Sequence, residues 1–149
     1  MKKEPSKTLV RAWARLLRAH TRALGTVEGV LKEAGFPPLA WYDVLLELDR
    51  VGDAGMRPYE LERELLLPQY GLSRLLDRME AAGYLERRPC DSDGRGSTVH
   101  ITKAGRDLRR RMWPIYAAAI GTAMGTHLSE SDAAQFDVLL GKLLGAPRA

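Results

Sequence analysis

One cysteine in 149 residues, Cys90, excludes an internal disulfide and any zinc cage of several thiolates. The three histidines, His20, His100 and His127, share no ligand spacing with one another or with Cys90, so no metal site is expected. The H-E-x-x-H, Walker and G-x-S-x-G motifs are missing, and Gly94-Arg95-Gly96 is too short and wrongly placed to cradle a nucleotide. An enzyme therefore has no catalytic residues behind it, and no cofactor is expected. The sequence has no run of 18 apolar residues and no signal peptide, which argues against a membrane span and makes a cytoplasmic protein the expectation. Long linkers, low-complexity tracts and internal repeats are lacking too. Charge is modest: 23 Lys and Arg against 19 Asp and Glu leave +4, too little by itself to argue for nucleic acid.

What is present is apolar content and pattern. At 45% hydrophobic residues the chain can build the core of one domain or of one subunit in an oligomer. Its charge is unevenly spread. Between Gln69 and Arg111 stand ten basic residues and six acidic ones, a difference equal to the whole excess. Residues 1–7 read as a loose end. From Thr8 to Ala34 apolar residues recur every seven positions, at Val10, Leu17, Leu24 and Leu31. A second row, Trp13, His20 and Val27, follows three residues after each of the first three. Two such rows form a seam that wants another helix against it, from a second subunit or from the same chain. Gly35-Phe36-Pro37-Pro38 breaks this helix, Leu39 to Val51 is a second amphipathic one, and Gly52 to Gly55 is a turn. A long helix over 103–127 contains Pro114, which predicts a kink near Arg110. Ser129 to Asp132 has the form of a capping box ahead of a last helix striped by Phe136, Leu139, Leu140, Leu143 and Leu144.

The stretch from Met56 to Gly105 carries the organisation. A short apolar-periodic segment, Tyr59 to Leu66, has Pro58 at a suitable first helical position. A longer one, Gln69 to Ala82, is closed by Gly83. A two-stranded ribbon, Tyr84 to Arg88 and Ser97 to Ile101, then flanks a polar, glycine-rich tip. Helix, tight turn, helix and hairpin describe a winged helix-turn-helix. The predicted fold is mainly α with a small β-wing: a winged core over 39–105, a connecting helix over 103–127, and dimerisation helices over 8–34 and 128–145.

The second helix of the pair divides by face. Leu72, Leu75, Leu76 and Met79 form one stripe at i, i+3, i+4 and i+7. Opposite stand Tyr70, Ser73, Arg74 and Asp77, with Gln69 and Arg78 at the edges. Arg can bond a guanine edge in two places, Ser and Gln can read bases or hold phosphates, and Tyr can reach the backbone. An isolated helix with such a face is ordinarily just solvated. The ribbon changes the reading, because Arg95 at its polar tip suits a narrow, electronegative minor groove.

The motifs W-Y-D-V-L at 41–45, G-L-S-R-L-L-D-R-M at 71–79, and D-G-R-G at 93–96 followed by I-T-K-A-G at 101–105 resemble the MarR (multiple antibiotic resistance regulator) family. The resemblance runs from about Leu9 to Leu144. It implies that Arg95 enters the minor groove, that Asp93 orients it, and that two copies read a pseudo-palindromic double-stranded operator, as a repressor. The chain departs from the pattern at Pro68, where a Ser-type cap is commoner. Leu67 would then cap poorly, a deficit of ~1 kcal/mol, and Gly71 adds a propensity cost of ~1 kcal/mol relative to Ala.

The resemblance also implies a small phenolic or carboxylate effector in a cleft beside the reading module. Trp13, His20, Trp41, Tyr42 and Trp113, with Tyr116, lie on the segments that would line it. Ordinary core and interface packing is the competing reading for each of them. The alternative from a different class is a winged-helix module that binds protein and not DNA.

Overall fold

The computed structural model describes residues 2–90 and 96–145. The chain divides into two compact units, Leu31–Tyr116 on the one hand and Met1–Val30 with Ala117–Ala149 on the other.

In the Leu31–Tyr116 unit, α2 (Leu39–Val51) follows Pro38 and stops at Gly52, whose φ of 60° only glycine adopts without strain. α3 (Pro58–Glu64) opens with its proline in the first turn, where the missing N–H has no partner to lose. The Glu60 carboxylate reaches back to accept the Arg57 N–H at 3.3 Å. α4 (Leu72–Ala81) comes next, then β1 (Leu85–Pro89) and β2 (Ser97–Ile101). The two strands are antiparallel, with Leu85 opposite Ile101 and Pro89 opposite Ser97. Met56 adds one rung on the other side of β2, exchanging both backbone bonds with Val99 at 3.0 and 2.7 Å. The core is built from one face of each element: Val44, Leu45 and Leu48 of α2, Leu61 of α3, the α4 stripe, and Leu85, Val99 and Ile101 of the wing, all buried. Burying each such side chain contributes about 1.5–3 kcal/mol. α5 (Lys103–Ile120) enters through Leu108 and Met112, and its Arg109 bonds Asp49 of α2 at 2.8 Å.

The junction between wing and α5 explains the T-x-x-G pattern at 102–105. The Thr102 hydroxyl donates to the Gly83 carbonyl at 2.6 Å and accepts the Gly105 N–H at 3.1 Å. A Cβ on Gly105 would run into the Tyr84 carbonyl and crowd Ile101. Backbone meets backbone here, so the site has no flexible neighbour to yield.

The other unit holds most of α1 (Lys7–Glu33), the end of α5 and α6 (Glu130–Leu144). The long connecting helix departs from the sequence expectation. Its α-helical stretch includes Pro114, ends at Ile120 and not near His127, and gives way to a π-turn over Gly121–Gly125. Two glycines at the ends of five residues weaken the α-helical preference there. The capping box forms as its pattern suggests: Asp132 donates its N–H to the Ser129 hydroxyl at 3.1 Å, and its carboxylate accepts the Ser129 N–H at 3.0 Å. No residue of α6 is buried in the single chain. Leu9, Val10, Trp13 and Leu17 of α1 are exposed as well, whereas Val27 and Leu31, further along the same seam, are buried.

Gly105→Ala is expected to destabilise the chain by about 1–3 kcal/mol, the cost of overpacking a filled site. Urea unfolding followed by circular dichroism measures it. An unchanged midpoint would show that the β2–α5 junction can open without cost.

Candidate nucleic-acid interface

α4 buries Leu72, Leu75, Leu76 and Met79 and leaves Ser73, Arg74, Asp77 and Arg78 exposed. Both its ends are set by backbone chemistry. At the C-terminus Gly83 takes φ 84°, its N–H bonds the Glu80 carbonyl at 2.9 Å, and the Tyr84 N–H bonds the Met79 carbonyl at 3.0 Å. This pair of bonds caps the helix and turns the chain at once into β1. At the N-terminus the helix is shorter than expected. Gly71 is the N-cap at φ −133° and ψ 43°, so Gln69 and Tyr70 stand in the turn before the helix and not on it. Pro68 and Gly71 bracket these two residues, and neither favours an extra helical turn. Tyr70 is fully exposed at the protruding corner of that turn.

The cap expected at Leu67 falls instead on Gly71, which makes no side-chain cap bond, and the turn ahead of it is held from α2. Asp43 of α2 is buried, and its carboxylate accepts the Leu66 N–H at 3.1 Å and the Leu67 N–H at 2.8 Å. Burial pushes this carboxyl above the usual aspartate range, while the two backbone bonds pull it down. Sequence reasoning missed the role. A signal was present, because Asp43 falls within the stripe Leu39, Tyr42, Asp43, Leu46 at i, i+3, i+4 and i+7. A carboxylate on the apolar stripe of a helix needs a partner.

Arg87 of β1 fixes the wing to α4. One nitrogen of its guanidinium lies 2.9 Å from Asp77 and 3.0 Å from Glu80, and its backbone N–H donates to Glu80 at 2.9 Å. Asp77, which the face analysis groups with the reading side chains, is thus engaged by the wing. Arg74 and Arg78 have no ion-pair partner among the described residues. Their cationic heads are solvated, which is what a phosphate or base contact requires. The wing tip lies outside the described residues, and Asp93 and Arg95 with it. At its base Cys90 accepts a hydrogen bond from Arg57 at 3.1 Å, a different arginine from the adjacent Arg87 and Arg88.

Of the residues expected around an effector, those in the Leu31–Tyr116 unit fall into two sets of aromatic contacts. Trp41 meets Tyr84 edge-on at 5.9 Å. Tyr42, Trp113 and Tyr116 form a separate cluster with centroids 5.0 to 6.2 Å apart. Trp13 and His20 are exposed on α1, in the other unit. A cleft within the Leu31–Tyr116 unit has walls of its own. It lies between α2, the α3–α4 turn and Tyr116, is about 250 Å³ in volume, and includes Tyr42 and Tyr116 of the expected set.

Comparison with known proteins agrees with this geometry. A sequence model of the MarR family matches residues 34–96. The chain is 31% identical over 111 residues to the uncharacterized HTH-type transcriptional regulator YkoM of Bacillus subtilis, across 74% of this chain and 70% of that protein. It is 29% identical over 91 residues to the multiple antibiotic resistance protein MarR of Escherichia coli, across 61% of this chain and 63% of that protein. Less than two thirds of that relative is therefore spanned. In fold, the chain is similar to Sco3205, a MarR family transcriptional regulator from Streptomyces coelicolor solved in complex with DNA. The TM-score is 0.85 at 21% identity, covering 97% of this chain and 90% of that one. A family model lying across the winged core, together with a relative of this identity and extent, places the chain in the MarR family of transcriptional regulators.

Proposed function

We propose that this chain is a sequence-specific, double-stranded DNA-binding repressor that acts as a homodimer and responds to a small ligand. The observation that carries the reading is the division of α4. Four buried side chains hold it to the core, while Ser73, Arg74 and Arg78 stand exposed on the remaining face beside a two-stranded wing. In this reading α4 enters the major groove, Arg74 and Ser73 contact base edges, and Gln69, Tyr70 and Arg78 hold the phosphate backbone. Arg95, oriented by Asp93, supplies a minor-groove contact read through groove width. That Sco3205 was solved with DNA supports the assignment.

The homodimer is supported by surface that a lone chain leaves uncovered. Leu9, Val10, Trp13 and Leu17 on α1 and Val138, Leu139, Leu143 and Leu144 on α6 are all exposed, and Leu144 reaches 85%. Apolar surface of this extent marks an interaction face. A second copy covering it would place two α4 helices on successive half-sites of a pseudo-palindrome, one turn of DNA apart, about 34–36 Å.

Two measurements follow. Light scattering should give twice the 16.6 kDa chain mass at micromolar concentration, and a well-folded monomer there would refute the dimer. A gel shift on the DNA upstream of the chain's own gene, with salt varied, should show binding that weakens steeply as salt rises. Arg74→Ala should cost about 1–3 kcal/mol and relax specificity at one position per half-site. Arg95→Ala should lower affinity with little change in base preference. If the unmodified chain fails to shift any upstream fragment at low salt, a protein-binding winged helix becomes the better reading.

A further inference from the structure

The cavity between α2, the α3–α4 turn and Tyr116 is walled entirely by the Leu31–Tyr116 unit. At about 250 Å³ it lies just below the span of drug-sized pockets, about 300–1,000 Å³, so it suits a ligand with a single ring. Its aromatic wall is Tyr42 and Tyr116, edge to face with centroids 5.0 Å apart. Its polar lining is one-sided: three carboxylates, Asp43, Glu47 and Glu64, against a single cation, Arg50. Asp43 and Glu47 are only 6% and 8% exposed. Burial raises Glu47 above the usual carboxylate range, Arg50 at 3.5 Å lowers it, and neighbouring Asp43 and Glu64 raise it again. Three carboxylates around one small space repel an anion and attract a cation.

We propose that this cavity binds a small aromatic cation, an arylalkylamine, and that Asp43 couples its occupancy to the turn that leads into α4. The proposal reverses the charge of the phenolic or carboxylate effector that the family resemblance implies. It rests on the regulator reading only for the consequence at DNA; binding rests on the cavity itself. The ring packs on Tyr42 and Tyr116, and the ammonium group lies among the carboxylates of Glu47, Glu64 and Asp43. Each carboxylate oxygen has two lone pairs, so Asp43 can accept from the ligand while keeping the Leu66 and Leu67 N–H groups. A bound cation gives the carboxylate a further partner and holds it where it accepts both N–H groups. Occupancy therefore tightens the α3–α4 turn. Through it the ligand acts on the helix that presents Ser73 and Arg74.

The test is isothermal titration of the full chain at neutral pH with phenethylamine and, in parallel, salicylate. Phenethylamine should bind at least about tenfold more tightly than salicylate, the equivalent of ~1.4 kcal/mol. Glu47→Gln should weaken the amine about tenfold. Glu64→Gln, an exposed position where folding is not at stake, should act in the same direction. On amine binding, hydrogen exchange should slow at the Leu66 and Leu67 amides. Salicylate binding as tightly as the amine overturns the site, as does an amine affinity indifferent to both substitutions or no heat from either probe at millimolar concentration. Amine binding without slower exchange at 66 and 67 overturns the coupling through Asp43. The expected titration in a chain that shifts no DNA upholds the cavity as a cation site and refutes the regulator reading instead.

Discussion

A helix of ten residues does not hold its shape alone in water, and α4 is ten residues long. Everything around it supplies what it lacks. Leu72, Leu75, Leu76 and Met79 fasten one face to the core. Gly83 ends it and starts the wing within two residues. Arg87 returns from the wing to Asp77 and Glu80, and Asp43 secures the turn before its first residue. The exposed face is left with one set of positions relative to the wing. A reading surface needs this, because a base contact is lost within an ångström of misplacement.

The charges around α4 serve two purposes, and distance separates them. Arg87 is spent on structure: it is half-buried and paired with two carboxylates at about hydrogen-bond length. Arg74 and Arg78 lie one and two turns along the same helix with no ion-pair partner among the described residues. A net charge of +4 concealed this division, because it counts paired and solvated cations alike. Asp43 also serves two purposes. Its burial is costly, and two backbone N–H groups offset part of the cost. It also lines a cavity in which its charge meets those of Glu47 and Glu64. Structure and ligand chemistry meet on this one side chain.

Local chemistry was legible in the residues. Periods of 3.6 marked α1, α2, α4 and α6, and Leu39–Val51 came out with the expected bounds. The glycine after α4, the proline opening α3 and the Ser129–Asp132 box act through neighbours within a few positions, so a sequence carries them whole. The buried stripe of α4 follows for the same reason, since one helical period fixes which side chains share a face. The start of α4 was less legible, because Pro68 and Gly71 end one turn without dictating where the next begins. The π-turn after Ile120 likewise lay beyond a pattern that registers apolar spacing and not hydrogen-bond register.

Tertiary structure decided what depends on residues far apart in the chain. Asp43 reaches Leu66 and Leu67 over more than twenty positions, Arg87 reaches Asp77 across a reversal of the chain, and Arg57 meets Cys90 from another element. No local period encodes such pairs, because which side chains meet is set by how the elements pack. The aromatic contacts of α2 depend on packing in the same way. Trp41 and Tyr42 are adjacent in sequence yet point a hundred degrees apart on one helix, and they join different clusters. The sequence by itself determined the order of the elements, the caps of α3 and α6, the end of α4 and the face that α4 exposes. Packing alone decided which charges are neutralised, which remain solvated, and that a cleft beside the turn is lined with three acids.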